Sequence, residues 1–227
     1  MELPLYFISD IHLALNPNEK EIERQERLFQ FFRHIEVTKG TLFILGDLFD
    51  FYFEYNDVIP KDYFFFYNEI IRLKKSGVRV HFQLGNHDYW VSHFITKTLF
   101  DKVYKNDFKF TINDKKFLIT HGDGLLSWDK GYRLLKSIIR SHIFVWCYKW
   151  IHPNIGYWIA KKISGNRHHY IHSADYNKKV LDDLSGFAKE NIEKVVFGDE
   201  NVSRHLEGKT VKKIIHIPNK LINIVVT

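Results

Sequence analysis

Four short stretches of this 227-residue chain place oxygen and imidazole side chains directly after apolar runs. They read Ser-Asp-Ile-His at 9–12, Gly-Asp-Leu-Phe-Asp at 46–50, Gly-Asn-His-Asp at 85–88 and His-Gly-Asp-Gly at 121–124. Asp10, His12, Asp47, Asn86 and His121 therefore offer donors of the kind that bind Mn, Mg, Fe or Zn. Each stretch alone is ordinary. A single Asp after a strand serves as a turn or helix cap, and Gly-Asp and Gly-Asn pairs are common turn chemistry. Four in succession are better explained by loops that converge at the carboxyl ends of neighbouring strands, where open α/β sheets bind ligands. The glycines let the backbone leave each strand sharply and approach a cation.

The elements that must position these loops are legible nearby. Apolar runs at 5–9, 41–45 and 78–84 read as buried strands. Between them, residues 18–37 set Ile22, Leu28, Phe29, Phe32 and Ile35 at helical spacing, and 60–75 predict a second helix with Pro60 in its first turn and Gly77 closing it. This alternation predicts a layered α/β fold. From 102 the pattern changes to short strands with an Asn-Asp turn at 113–114, and then to a helical block over about 126–190. Strand candidates at 194–197, 211–217 and 221–226 close the chain. The whole predicts one domain over 1–227, a two-sheet sandwich flanked by helices, with the helical block as an insertion.

Composition sets the frame. With 45% hydrophobic and 16% aromatic residues the chain can bury a sizeable core. Cys147 is the sole cysteine, which excludes an intrachain disulfide and fits a reducing compartment. No signal-peptide pattern opens the sequence, and no uncharged apolar run is long enough to span a bilayer. A cytoplasmic protein is expected. The net charge of +6 suits either simple solubility or an anionic partner: nucleic acid, a phosphorylated metabolite or an acidic membrane surface.

The series Asp-Ile-His, Gly-Asp-Leu-Phe-Asp, Gly-Asn-His-Asp, His-Gly-Asp, over residues 10 to about 124, resembles the calcineurin-like metallophosphoesterase superfamily. More narrowly, the stretches 46–55, 121–125 and 128–136 resemble the UDP-2,3-diacylglucosamine hydrolases of lipid A biosynthesis. The resemblance implies two divalent metal ions, Mn first among the candidates. Asp10 and His12 would bind the first, Asp47 would bridge both, and Asn86 and His121 would bind the second. It implies that His87 protonates or stabilises the leaving oxygen, oriented by Asp88. It implies hydrolysis of a lipid-linked nucleotide-sugar diphosphate at the inner face of the cytoplasmic membrane, with Asn86, Asp129, Ser164 and Arg167 contacting substrate. His87 fits the wider superfamily; the narrower family often carries Arg at that position.

Within 126–170, Lys130, Arg133, Lys136 and Arg140 fall at roughly helical spacing among abundant Ile, Trp and Tyr. An amphipathic hairpin packed on the core accounts for this pattern. So does a basic-aromatic lid over a lipid-bearing phosphate ester, peripheral to a membrane. A nucleic-acid surface is the weaker reading, because these aromatics lie among Ile and Leu at helix spacing rather than as a stacking platform; no nucleic-acid partner is expected. The superfamily's last motif, Gly-His-x-His, is replaced by Gly198-Asp199-Glu200-Asn201. Three outcomes stay open: Asp199 and Asn201 serve as oxygen ligands, His205 or His216 takes their place, or the site binds without turnover. Another phosphodiesterase acting on nucleotides or nucleic acid is the remaining enzymatic alternative.

Overall fold

The computed structural model describes residues 1–112, 115–123 and 128–164, helical residues at 180, 182–183 and 185–187, and the strands at 211–217 and 221–226; for 115, 163–164 and the last two strands it describes the backbone alone. By its contacts the chain divides into two compact units. One comprises Met1–Gly124 and Asp129–His169, the other Leu125–Trp128 and Tyr170–Thr227.

The first unit is built on a four-stranded parallel sheet in the order β1 (Leu5–Ile8), β2 (Thr41–Leu45), β3 (Arg79–Gln83), β4 (Lys102–Tyr104). Parallel neighbours require crossovers, and the sequence supplies them as α1 (Glu19–Thr38) and α2 (Phe64–Lys75). Asn18 caps α1 by accepting the Glu21 N–H at 2.9 Å. The chain leaves α1 through Lys39 at φ 62° and Gly40 at φ 104°. Pro60 precedes a 3-10 turn, Lys61–Tyr63, that leads into α2, and Gly77 follows the helix at φ 96°. A π-helical turn, Phe94–Leu99, joins β3 to β4.

Alternation across the pleat gives the sheet two different faces. Tyr6, Ile8, Leu42, Ile44, Val80 and Phe82 pack with Phe32 and Ile35 of α1 and Phe66, Ile70 and Leu73 of α2. Each such aromatic or aliphatic side chain contributes about 1.5–3 kcal/mol on full burial. The opposite face carries Phe7, Phe43 and His81, aligned across the strands. It is covered by the antiparallel hairpin β5 (Phe108–Ile112) and β6 (Lys115–Ile119). Phe110 stacks on Phe43 with centroids 5.3 Å apart and planes 3° apart, and Phe117 stacks on Phe7 at 6.2 Å. Helices, parallel sheet and hairpin form the expected α/β layers.

The predicted helical block resolves, over 130–164, into α3 (Lys130–Ile139), α4 (His142–Lys149) and α5 (Pro153–Ser164). The breaks have local causes. Ser141 leaves α3 and caps α4 by accepting the Phe144 N–H at 3.2 Å, and Pro153 opens α5, where its missing N–H costs nothing. In the second unit the described strands are β7 (Val211–Ile217) and β8 (Leu221–Val226), an antiparallel pair with a register shift between Val211 and Lys213. The turn at 113–114 and the strand at 194–197 lie outside the described residues. No described helix is long and apolar enough to cross a membrane.

Candidate metal centre

Three of the four loops leave the carboxyl ends of β1, β2 and β3, and the fourth follows β6. Their backbone is unusual. Asp10, His12 and Asp47 have φ values of 51°, 48° and 48°, in the left-handed region that side chains other than Gly seldom occupy. Surrounding bonds hold them there. The N–H of Asp10 donates to Gly46 O at 3.3 Å, and those of His12 and Leu13 donate to Asp47 O and Leu48 O at 2.8 Å. From α1, Arg24 donates to the carbonyls of Ile11 and His12, and is itself paired with Glu21 at 2.7 Å.

Asp47 lies at the centre. Its Oδ1 accepts the N–H groups of Asn86 and His87 at 3.0 and 3.1 Å and faces His121 Nε2 at 3.4 Å. Its Oδ2 faces His12 Nε2 at 3.7 Å and His87 Nε2 at 4.0 Å. Donor atoms of His12, Asp47 and His87 lie within 4.8 Å of one another, close enough to converge on one cation. Asn86 stands 3.1 Å from His121 Nε2. With its amide nitrogen turned there it donates to His121 and to both Asp47 oxygens; with its oxygen turned there, amide and imidazole present paired donors to a cation. The donor set fits divalent metals.

Glycine makes room for this arrangement. A Cβ on Gly46, at φ 77°, would collide with the His121 ring, and one on Gly85 would collide with the Asp47 carboxylate. The electrostatics follow from the crowding. Burial would raise Asp47, but the His121 hydrogen bond and the nearby His121 and His87 charges hold its carboxyl below the usual value. Burial would lower His121, but Asp47 beside it pushes the imidazole up to about 9.

Several roles differ from the sequence expectation. Asp88 does not orient His87. It is fully buried, and its carboxylate accepts Gly85 N–H at 2.7 Å on one oxygen and Leu48 N–H at 2.7 Å on the other. It thereby ties the 85–88 loop to the 46–50 loop. Burial, reinforced by the Asp47 charge, pushes it up to about 7 against these bonds. The partner that orients His87 is Asp50, whose carbonyl accepts from Nδ1 at 2.7 Å and leaves Nε2 facing Asp47. Asp50 also sets its carboxylate 3.9 Å from His12 Nδ1, behind the ring nitrogen that faces the site. Asp10 keeps its place on the loop, but its side chain is exposed and lies outside the three-residue cluster. Asp129 caps α3, accepting the Tyr132 N–H at 3.0 Å. Asp199, Asn201 and Arg167 lie outside the described residues, and Ser164 is described by its backbone alone.

Residues that the sequence did not single out brace the site, and several of them tie the insertion to it. Asp123, two positions after His121, pairs with Lys136 at 2.9 Å and Arg140 at 2.7 Å, and Arg140 also donates to Gly85 O at 3.2 Å. Glu54, 4% exposed, accepts the N–H groups of Ser92 at 2.8 Å and Phe94 at 2.7 Å. Trp90 Nε1 donates to Ile139 O at 2.8 Å, and Tyr157 OH to Phe53 O at 2.9 Å. Between these ties lies a cavity of about 330 Å³ lined by Phe51, Phe53, Trp90, Leu135, Ile139, Phe144, Tyr148, Ile159 and Ala160, with Asn86 and His87 among its walls.

Parallel sheet, loop positions and donor chemistry define a metal-dependent phosphoesterase. The chain belongs to the calcineurin-like phosphoesterase family, whose model matches residues 3–216. It is a hydrolase of a family that uses divalent metals. Among curated relatives, a UDP-2,3-diacylglucosamine hydrolase of Porphyromonas gingivalis is 26% identical over 235 residues, covering 95% of this chain and 89% of the relative. Proteins of the same name from Haemophilus influenzae and Vibrio atlanticus are 26% and 28% identical, covering 97% and 93% of this chain and 88% and 82% of theirs.

Proposed function

We propose that this chain hydrolyses the diphosphate of UDP-2,3-diacylglucosamine, releasing UMP and 2,3-diacylglucosamine 1-phosphate. One observation carries the reading: an almost wholly apolar cavity of about 330 Å³ reaches Asn86 and His87 directly. Its size lies at the lower end of the range of about 300–1,000 Å³ typical of small-ligand sites. Such a cavity suits a fatty acyl chain and offers few polar partners to a sugar or a base. The names of the relatives point the same way.

In this reading Asp10, His12, Asp47, Asn86 and His121 would hold two divalent cations, with Mn the preferred metal. Asp199 and Asn201 are proposed as the oxygen ligands that would complete the donor set. When bound, the cations activate water and neutralise the phosphoryl oxygens. His87 delivers a proton to the leaving oxygen. Its Nδ1–H is committed to the Asp50 carbonyl, so Nε2, which in this role stays off the cations, is the atom that carries that proton. The buried Asp88 keeps the 46–50 and 85–88 loops in register while phosphate charge arrives. Asn86, Asp129, Ser164 and Arg167 are proposed substrate contacts. Ile143 and Trp146 on α4, Trp150 at its C-cap and Trp158 on α5 are 57–77% exposed. That exposure supports peripheral attachment to the cytoplasmic face of a membrane, where such a substrate resides.

The test is a competition. Detergent-dispersed UDP-2,3-diacylglucosamine should inhibit hydrolysis of bis(p-nitrophenyl) phosphate by Mn-loaded protein and should itself release UMP. Hydrolysis of the small diester, undisturbed by the lipid, would contradict the reading.

A further inference from the structure

A second cavity, of about 180 Å³, meets the apolar one at Phe53 and Trp90 and shares no other wall residue with it among the described residues. Helix α4 stands between the two. Its Phe144 and Tyr148 line the apolar cavity, while His142, Val145 and Lys149 line the second. Lys105, just past β4, and Arg140, at the α3–α4 junction, complete a basic wall with Ser92 beside it.

We infer that this cleft binds a phosphate-bearing anion. Lys105, His142 and Lys149 are exposed and form no ion pair among the described residues. Arg140 is preorganised: its guanidinium lies 4.1 Å over the Tyr89 ring, and a single nitrogen, Nη2, makes its bonds to Asp123 and Gly85. Among the described residues the other donors of its planar fork have no hydrogen-bond partner and remain for a ligand, in the geometry that suits phosphate oxygens. Among the described residues the one acid in the wall is Glu54, and it does not compete. It is buried, and its oxygens accept backbone N–H groups of Ser92, Phe94 and Ile95. Two lysines, an arginine fork, an imidazole and a hydroxyl make a poor site for a cation and a good one for a tetrahedral oxyanion.

Two sources supply that chemistry, a soluble phosphate ester and a phospholipid headgroup. The third face of α4 carries Ile143 and Trp146, and Trp150 follows at its C-cap, at 77%, 62% and 76% exposure, next to the cleft residues in sequence. Headgroup phosphate is then within reach of the same helix that meets the lipid. The inference does not depend on which ester the metal loops hydrolyse.

The test uses the full chain loaded with Mn, carrying Lys105→Glu with Lys149→Glu, and a control, Lys20→Glu with Lys75→Glu, with the same charge change on α1 and α2. Hydrolysis of bis(p-nitrophenyl) phosphate should be unchanged in both, which reports an intact fold and metal site apart from any lipid substrate. Equilibrium dialysis with labelled inorganic phosphate, and sedimentation with phosphatidylcholine vesicles with or without phosphatidylglycerol, then read the cleft. Affinity lower by about tenfold in the cleft variant alone supports the inference. Loss with phosphatidylglycerol vesicles identifies the headgroup as source, and loss with inorganic phosphate alone identifies the soluble ester. No loss with either probe, an equal loss in the control, or a fall in diester hydrolysis in the cleft variant would overturn it.

Discussion

Asp88 Oδ2 accepts the backbone N–H of Leu48 at 2.7 Å across 40 positions of sequence, while Oδ1 accepts the N–H of Gly85 in its own loop at 2.7 Å. Two loops that carry metal donors are thus joined by one buried carboxylate. In Asp88→Asn an amide NH2 must face one of these N–H groups, leaving a buried donor unsatisfied. The expected cost is about 1–3 kcal/mol, or roughly 2–12 °C in melting temperature for a chain of this size. Thermal unfolding of the metal-free protein checks it, and an unchanged melting temperature would contradict the assigned role.

Gly46 tests the packing of the metal donors. In Gly46→Ala the new Cβ meets the His121 ring, and the backbone must hold φ 77° with a side chain attached. Stability should fall by about 1–3 kcal/mol. Affinity for Mn should fall further, because the group displaced is the imidazole itself. A Mn titration beside a thermal melt separates the two effects.

The Asp47–His121 pair sets a pH dependence. In the cation-free chain His121 is raised from an ordinary 6.5 to about 9, so the folded state holds this proton more tightly than the unfolded one. Its contribution to stability is complete below pH 6.5 and fades as pH rises through about 9. A cation needs that imidazole deprotonated, so metal affinity should run the other way, climbing towards pH 9 and then levelling. Melts of chelator-treated protein and Mn titrations across this window should show opposite slopes. Affinity that stays flat while His121 is present would contradict the coupling.

Phe144 faces the apolar cavity from α4. Phe144→Asp places a charge where an acyl chain is proposed to lie. KM for the lipid substrate should rise by about tenfold or more, while turnover of bis(p-nitrophenyl) phosphate stays the same. Equal effects on both substrates would mean that the cavity supports the fold and not the lipid.

Much of this was legible in the sequence. The runs ending at Ile8 and Leu45 are apolar and short, the one ending at Gln83 alternates, and Asp or Gly follows each within two residues, so both strands and loop tips could be read from local pattern. Which face of β2 meets the helices was not legible. Thr41–Leu45 is buried on both sides and shows no alternation. The breaks in the helical block had signals in Ser141 and Pro153 that the surrounding apolar residues obscured. The partners of Asp88, Asp50, Glu54 and Asp123 are tertiary contacts. Asp123 finds Lys136 and Arg140 only because α3 folds back over the loop, and Glu54 meets Ser92 only because residues 53 and 90 pair in a parallel bridge. No local pattern announces such contacts.

The most direct measurement is UMP release from UDP-2,3-diacylglucosamine by the Mn-loaded wild-type chain and by Asp47→Asn. The amide in that variant keeps an oxygen for the N–H groups of Asn86 and His87, so the loops should hold while the carboxylate between the donor pairs is lost. The account predicts release by the wild type and a loss of at least about a hundredfold in the variant. Wild-type protein that hydrolyses a simple diester yet leaves the lipid substrate intact, or an Asp47→Asn variant that turns it over undiminished, would contradict it.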